Sequence, residues 1–170
     1  MKIKYHLSIF TFFVLLCWSC ENSFQEAKIK MVLTGSVHGQ LDPCGWKKNP
    51  LGGLSRKYAA IEQMREKGED PVILDAGDMF FSTTSISANN LKSEKHRCET
   101  MLSGYEKIGC DGFNIGKYEL LAGITYLKEL EKIHTSVPFI SANIRDKNTN
   151  KLIFSPYKII QRESLSIGVI

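Results

Sequence analysis

From Lys28 to Thr34 the chain alternates polar and apolar residues and then turns apolar (Lys-Ile-Lys-Met-Val-Leu-Thr), which predicts a first strand entering a buried sheet. A loop containing Gly, Pro and Asn follows. Leu54, Tyr58, Ile61 and Met64 then recur at helical spacing, with Arg56, Lys57, Glu62, Arg65, Glu66 and Lys67 on the other faces and Gly68 as the stop. The apolar run Val72 to Leu74 has strand length, and a loop rich in Ser, Thr and Asn leads from it into a helix from about Leu91 to Ile108. Phe113-Asn114-Ile115 predicts a third strand, Glu119 to Ile133 a third helix, and Val137 to Ala142 a fourth strand.

Strands alternating with helices predict an α/β fold with a mostly parallel sheet and helices outside it. Ile153-Phe154, Tyr157 to Gln161 and Leu165 to Ile170 read as short strands, so the sequence becomes β-rich toward its end. Ser166 to Ile170 has the character of a strand interior, and a fragment of a larger domain is expected on that ground.

The N-terminus changes the picture of where the protein works. Lys2 and Lys4 precede an apolar run from Ile9 to Leu16, followed by Cys17-Trp18-Ser19-Cys20 and polar residues, the pattern of an export signal. The run is about ten residues, short of the roughly twenty that span a bilayer. Ser19 is a small residue directly before Cys20, which makes Cys20 the candidate for lipidation; simple cleavage near Ser19 is the alternative. The expected organisation is a signal peptide over 1–20, a linker over 21–27, and one domain over 28–170 that is incomplete at its C-terminus. The expected location is the cell envelope or periplasm, with membrane attachment through a lipid anchor.

Lys and Arg number 22 against 18 Asp and Glu, a net charge of +4, and the two signs are interspersed. No basic block calls for nucleic acid. Beyond the signal lie Cys44, Cys98 and Cys110, with no Cys-x-x-Cys pair of the zinc-binding type. One disulfide with a thiol left over is compatible with this count, and spacing does not choose the pairing.

Ligands on an open parallel sheet gather at the carboxyl ends of its strands. Thr34 to Gln40, Asp75 to Asp78, and Asn114 to Glu119 bring polar residues there. The ordered segments Val32-Leu33-Thr34-Gly35-Ser36-Val37-His38-Gly39-Gln40-Leu41, Gly52-Gly53-Leu54-Ser55-Arg56, Leu74-Asp75-Ala76-Gly77-Asp78, Ile115-Gly116-Lys117-Tyr118-Glu119 and Ser141-Ala142-Asn143-Ile144 resemble the N-terminal part of a 5'-nucleotidase-type metallophosphoesterase of the calcineurin-like superfamily. Pro43-Cys44-Gly45 before Gly52-Gly53-Leu54 is similar to an exported branch of that superfamily.

The resemblance implies a four-layer αββα sandwich, present here in part, and hydrolysis of nucleotide phosphate esters by two divalent cations such as manganese or zinc. It places Asp78 at the bridging aspartate and His38 at the imidazole ligand, with Asn143 as a further candidate donor. Ser36 stands where the family has its first aspartate, and Gly116-Lys117-Tyr118-Glu119 replaces Gly-Asn-His-Glu. With two or three donors left, the metal set is vestigial or partial, and Lys117 is expected to pair with Asp78 in place of a cation. Arg56, Lys117 and Glu119 are the candidate substrate-binding residues. A silent envelope protein that holds an anionic ligand, and a truncated non-functional fragment, are the alternatives to a hydrolase. For Asp78 alone the plain reading is a turn or helix-capping carboxylate.

Overall fold

The computed structural model describes residues 28–45, 48 and 50–170; the expected signal, Cys20 and the linker lie outside these residues. Four short strands form a parallel sheet in the order β1 (Met31–Thr34), β2 (Val72–Asp75), β3 (Gly112–Asn114) and β4 (Phe139–Ile140). Met31 faces Val72 and Thr34 faces Asp75 in the first pair, while Asp75 faces Phe113 and Asn114 faces Ile140 in the next two. This register brings the carboxyl ends of the first three strands together. Among the described residues no helix is long and apolar enough to cross a membrane.

Helices α1 (Leu54–Glu66) and α2 (Leu91–Ile108) begin and end close to the predicted limits. Gly68, with φ 78°, follows the first, and Gly109 caps the second in a left-handed conformation, its N–H reaching back to the carbonyls of Tyr105 and Glu106. Ile61 of α1, Ile73 of β2 and Ile108 of α2 form one small core, joined by Val32 and Leu54. A larger core gathers Phe80, Phe81, Met101, Leu102, Phe113, Leu127, Leu130 and Phe139, where the Phe113 ring lies 5.2 Å from Phe80 and 5.1 Å from Phe139. Val32 and Ile73 face the helical side, so the alternation of β1 turns Met31 and Leu33 outward, 48% and 67% exposed.

Three predicted elements are revised. The helix expected over Glu119 to Ile133 divides into a 3₁₀ turn (Tyr118–Ala122) and α3 (Ile124–Ile133). Gly123, at φ 85° and ψ 157°, breaks it although the apolar spacing continues across the break. The fourth strand contracts to Phe139–Ile140, and Ile153-Phe154 forms no strand of its own. Instead Phe154 is buried in the core and the adjoining Ser155 bridges Ile140.

Strands β5 (Lys158–Arg162) and β6 (Leu165–Val169) form an antiparallel hairpin. Arg162 ties it to the sheet, donating to both carboxylate oxygens of Asp111 at 2.9 and 2.8 Å and pairing with Asp70 at 3.0 Å. Asp111 Oδ2 also accepts the N–H of Ile73, so the clamp grips the entry to β2, away from the carboxyl ends.

Candidate functional site

The pairing of β1 and β2 continues beyond both strands. Ser36, His38 and Gly39 donate their N–H groups to the carbonyls of Gly77, Asp78 and Met79 at 2.8, 2.9 and 2.7 Å. The rungs place residues that begin the two loops side by side and turn three of them left-handed: Ser36 at φ 53°, His38 at φ 49° and Asp78 at φ 56°. A non-glycine residue in this region costs about 1 kcal/mol or more and persists where its surroundings fix it. Such strain clusters at functional sites.

Glu119 fixes it. The side chain is fully buried, and its carboxylate accepts the N–H groups of Asp78, Met79, Phe80 and Gly116 at 2.8, 2.6, 3.2 and 2.8 Å. Burial pushes the carboxyl above its ordinary range, and the donated N–H groups pull against that push. Expected as a substrate-binding residue, Glu119 instead joins the loop after β2 to the loop after β3, because its oxygens face main chain rather than solvent. Gly77 and Gly116 allow the loops to meet. A Cβ on Gly77 would stand 2.8 Å from Asn114 O and Gly116 N, and one on Gly116 would stand 2.5 Å from Asp78 Oδ1.

Asp78 is half-buried, and its Oδ1 accepts the N–H of Tyr118 at 2.8 Å at the start of the 3₁₀ turn. The capping role therefore coexists with the strand-end position. Among the described residues no ion pair joins Lys117 to Asp78, contrary to expectation; the exposed Lys117 ammonium lies 5.9 Å from the Tyr118 ring centre. Main-chain donation from Tyr118 occupies one of the two Asp78 oxygens instead. The Tyr118 ring meets the exposed His38 ring edge to face, 5.2 Å between centres at 82°. His38, Asp78, Lys117 and Tyr118 thus share one corner of the molecule.

Asn143 and Arg56 stand apart from this corner in their contacts. Asn143 is exposed after β4 and its Oδ1 accepts the Ser141 hydroxyl at 2.9 Å, while Arg56 donates to the carbonyl of Pro50. Among the described residues no three His, Cys, Asp or Glu side chains converge as a metal group. With Asp78 Oδ1 and Asn143 Oδ1 both engaged, this donor set among the described residues does not fit a pair of divalent cations, or the three protein ligands a single catalytic zinc requires.

Sequence reasoning passed over a second polar cluster. Asp75 is buried at the end of β2, where Oδ2 accepts the hydroxyls of Thr34 at 2.5 Å and Tyr105 at 2.6 Å and Oδ1 accepts the N–H of Gly77 at 3.0 Å. Lys57, read from the sequence as a solvent-facing helix residue, donates to Thr34 at 2.7 Å and pairs with Asp75 at 3.8 Å. Burial lowers the Lys57 pKa and Asp75 opposes it; burial and the Asp75 carboxylate both raise the Tyr105 phenol. The signal available in the sequence was Asp75 itself, a carboxylate inside an apolar strand.

The three cysteines among the described residues are free: Cys44 is exposed, while Cys98 and Cys110 are buried. The disulfide held open by their number is not formed. Burial raises both inner thiols, Cys110 to about 12.

No family model matches the chain. A 5'-nucleotidase of Vibrio cholerae serotype O1 is 28% identical over 159 residues, which is 90% of this chain and 26% of that protein. Protein UshA of Escherichia coli K12 is 28% identical over 149 residues, 84% of this chain and 25% of that one. The chain therefore spans about a quarter of the length of these curated relatives. Among solved structures, a 5'-nucleotidase precursor from Thermus thermophilus superposes with a TM-score of 0.65 at 22% identity, over 84% of this chain and 28% of that one. The NAD nucleotidase of Haemophilus influenzae gives 0.65 at 23% identity, over 84% and 26%.

Proposed function

The chain is related to, and folds as, the N-terminal part of the 5'-nucleotidase-type metallophosphoesterases, and on that premise we propose that it binds a nucleotide or another phosphorylated small molecule at the corner formed by His38, Lys117 and Tyr118. At family level the relatives are nucleotide phosphate-ester hydrolases dependent on divalent metal. In this chain the exposed Lys117 ammonium meets the phosphate, a charge-assisted contact of about 1.5–3 kcal/mol, and the His38 ring supplies a second polar face. The described residues do not by themselves sustain two-metal hydrolysis. The protein acts outside the cytoplasm, tethered by lipid at Cys20.

One observation carries this reading. The loops keep the left-handed backbone at Ser36, His38 and Asp78 while three positions that would bear metal or acid chemistry are serine, lysine and tyrosine. The site has its loop geometry without a full donor set, which favours ligand binding over turnover.

Calorimetric titration of AMP into the full chain, with chelator and then with manganese, tests the reading. Binding is expected in chelator, reduced about tenfold in Lys117→Ala and strengthened in Asp78→Asn, without release of phosphate. Phosphate release that requires manganese and disappears in Asp78→Ala would establish the hydrolase instead. Absence of AMP binding under both conditions would leave neither.

A further inference from the structure

Between the end of β1, the start of α1 and the flank of α2 lies a cavity of about 420 Å³. Its wall has an apolar part, Val37 and Leu54 backed by the fully buried Met101 and Tyr105, and a polar part that includes Ser36, Arg56 and Lys57. Both charged lining residues are cationic, and no carboxylate lines it. Asp75, in the network behind the wall, is buried and accepts from Thr34, Tyr105 and Gly77. Of the Lys57 and Asp75 pair, only the cation lines the cavity. Arg56 adds a guanidinium with no carboxylate partner among the described residues.

Ser36 gives the cavity its sign. An acidic residue at this position would set a negative charge on the rim and oppose any anion entering; a serine leaves the rim neutral and the interior field positive. The same exchange that removes a potential metal donor thus opens a space for negative charge.

We propose that this cavity is a second binding site, separate from the corner of His38 and Lys117, for a small amphipathic anion. Its compact apolar body packs against Val37 and Leu54. Its carboxylate or phosphate head lies toward Arg56, whose guanidinium has nitrogens to donate beyond the bond to Pro50. Lys57, held by Thr34 and Asp75, contributes charge rather than a donated hydrogen bond.

The test is fluorine NMR of 4-fluorobenzoate and 4-fluorophenyl phosphate titrated into the full chain, with inorganic phosphate as the headgroup control. Saturable binding of an aryl anion is expected, weakened about tenfold in Arg56→Gln and in Ser36→Asp; 4-fluorobenzoate, which carries no phosphate for the Lys117 corner, should bind unchanged in Lys117→Ala. Preference between the two aryl probes assigns the head as carboxylate or phosphate, and inorganic phosphate alone should bind more weakly because it lacks the apolar body. Arg56 and Ser36 are exposed, so both variants should fold, which circular dichroism verifies. Equal affinity in wild type, Arg56→Gln and Ser36→Asp, or no saturable binding of either probe, overturns the proposal. Loss of 4-fluorobenzoate binding in Lys117→Ala would assign that probe to the other site and overturn it too.

Discussion

The ammonium of Lys57 lies 3.9 Å from the centre of the Tyr105 ring, while the Tyr105 hydroxyl donates to Asp75, the carboxylate with which Lys57 is paired. A helix, two strand ends and a second helix are thereby joined through one buried charge pair. Lys57→Met keeps the stem and removes the charge. A loss of about 3 kcal/mol in urea unfolding is expected, at the low end for a broken buried pair because Thr34, Tyr105 and Gly77 still donate to Asp75.

The same lysine gives a pH signature. Its folded pKa lies below the ordinary 10.5, so in the window from the folded value up to 10.5 the unfolded chain binds the proton that the folded chain has released. Stability should therefore rise with pH across that window. The difference between wild type and Lys57→Met in chemical unfolding isolates this contribution, and a difference independent of pH would refute it.

Glu119→Ala leaves four main-chain N–H groups without their acceptor. At about 1–3 kcal/mol for each buried unsatisfied group, a loss above about 4 kcal/mol is expected, and Glu119→Gln should fall between it and wild type. A loss under about 1 kcal/mol in Glu119→Ala would mean that water replaces the carboxylate.

Gly77→Ala adds a Cβ within 2.8 Å of Asn114 O and Gly116 N at a φ of 103°. Thermal unfolding should register a loss of about 2 kcal/mol or more, and the His38 ring resonances should shift because the Ser36 and His38 rungs end on Gly77 and Asp78.

If the loops still hold a metal-ready backbone, restoring side chains should restore affinity without rebuilding the chain. The triple variant Ser36→Asp, Lys117→Asn, Tyr118→His is expected to bind manganese or zinc at least about tenfold more tightly than wild type by calorimetry. Unchanged affinity would show that the loops are not preorganised for a cation.

Within the described residues an aromatic disulfide reagent should modify Cys44 in the native protein and reach Cys98 and Cys110 only on unfolding. Peptide mapping distinguishes the three.

The amphipathic spacing from Leu54 to Met64 and the glycine at 68 made the first helix legible, since helix period and stop signal agree there. The turn at Gly123 was hidden because Leu120, Ile124 and Leu127 keep helical spacing across it. Motif order brought His38, Asp78, Lys117 and Tyr118 to one corner, but it did not reveal what Asp78 would touch. Charge alone suggested Lys117, whereas the structure gives the Tyr118 amide. Glu119 and Lys57 were misread for a related reason: an acid in a motif and a base on a helix look solvent-facing until the loops fold over them.

The bonds to Glu119 cross 39 to 41 residues of sequence, from Asp78, Met79 and Phe80. During synthesis at about 5–20 residues per second, those amides emerge seconds before their acceptor and remain hydrated until it arrives. A chain ending short of Glu119 lacks the acceptor for all of those amides and for the N–H of Gly116, so nothing yet fixes the loop after β2. The corner is thus a late event in the life of each molecule, and a pause placed before residue 119 would lengthen the interval in which proteases can reach the open loop.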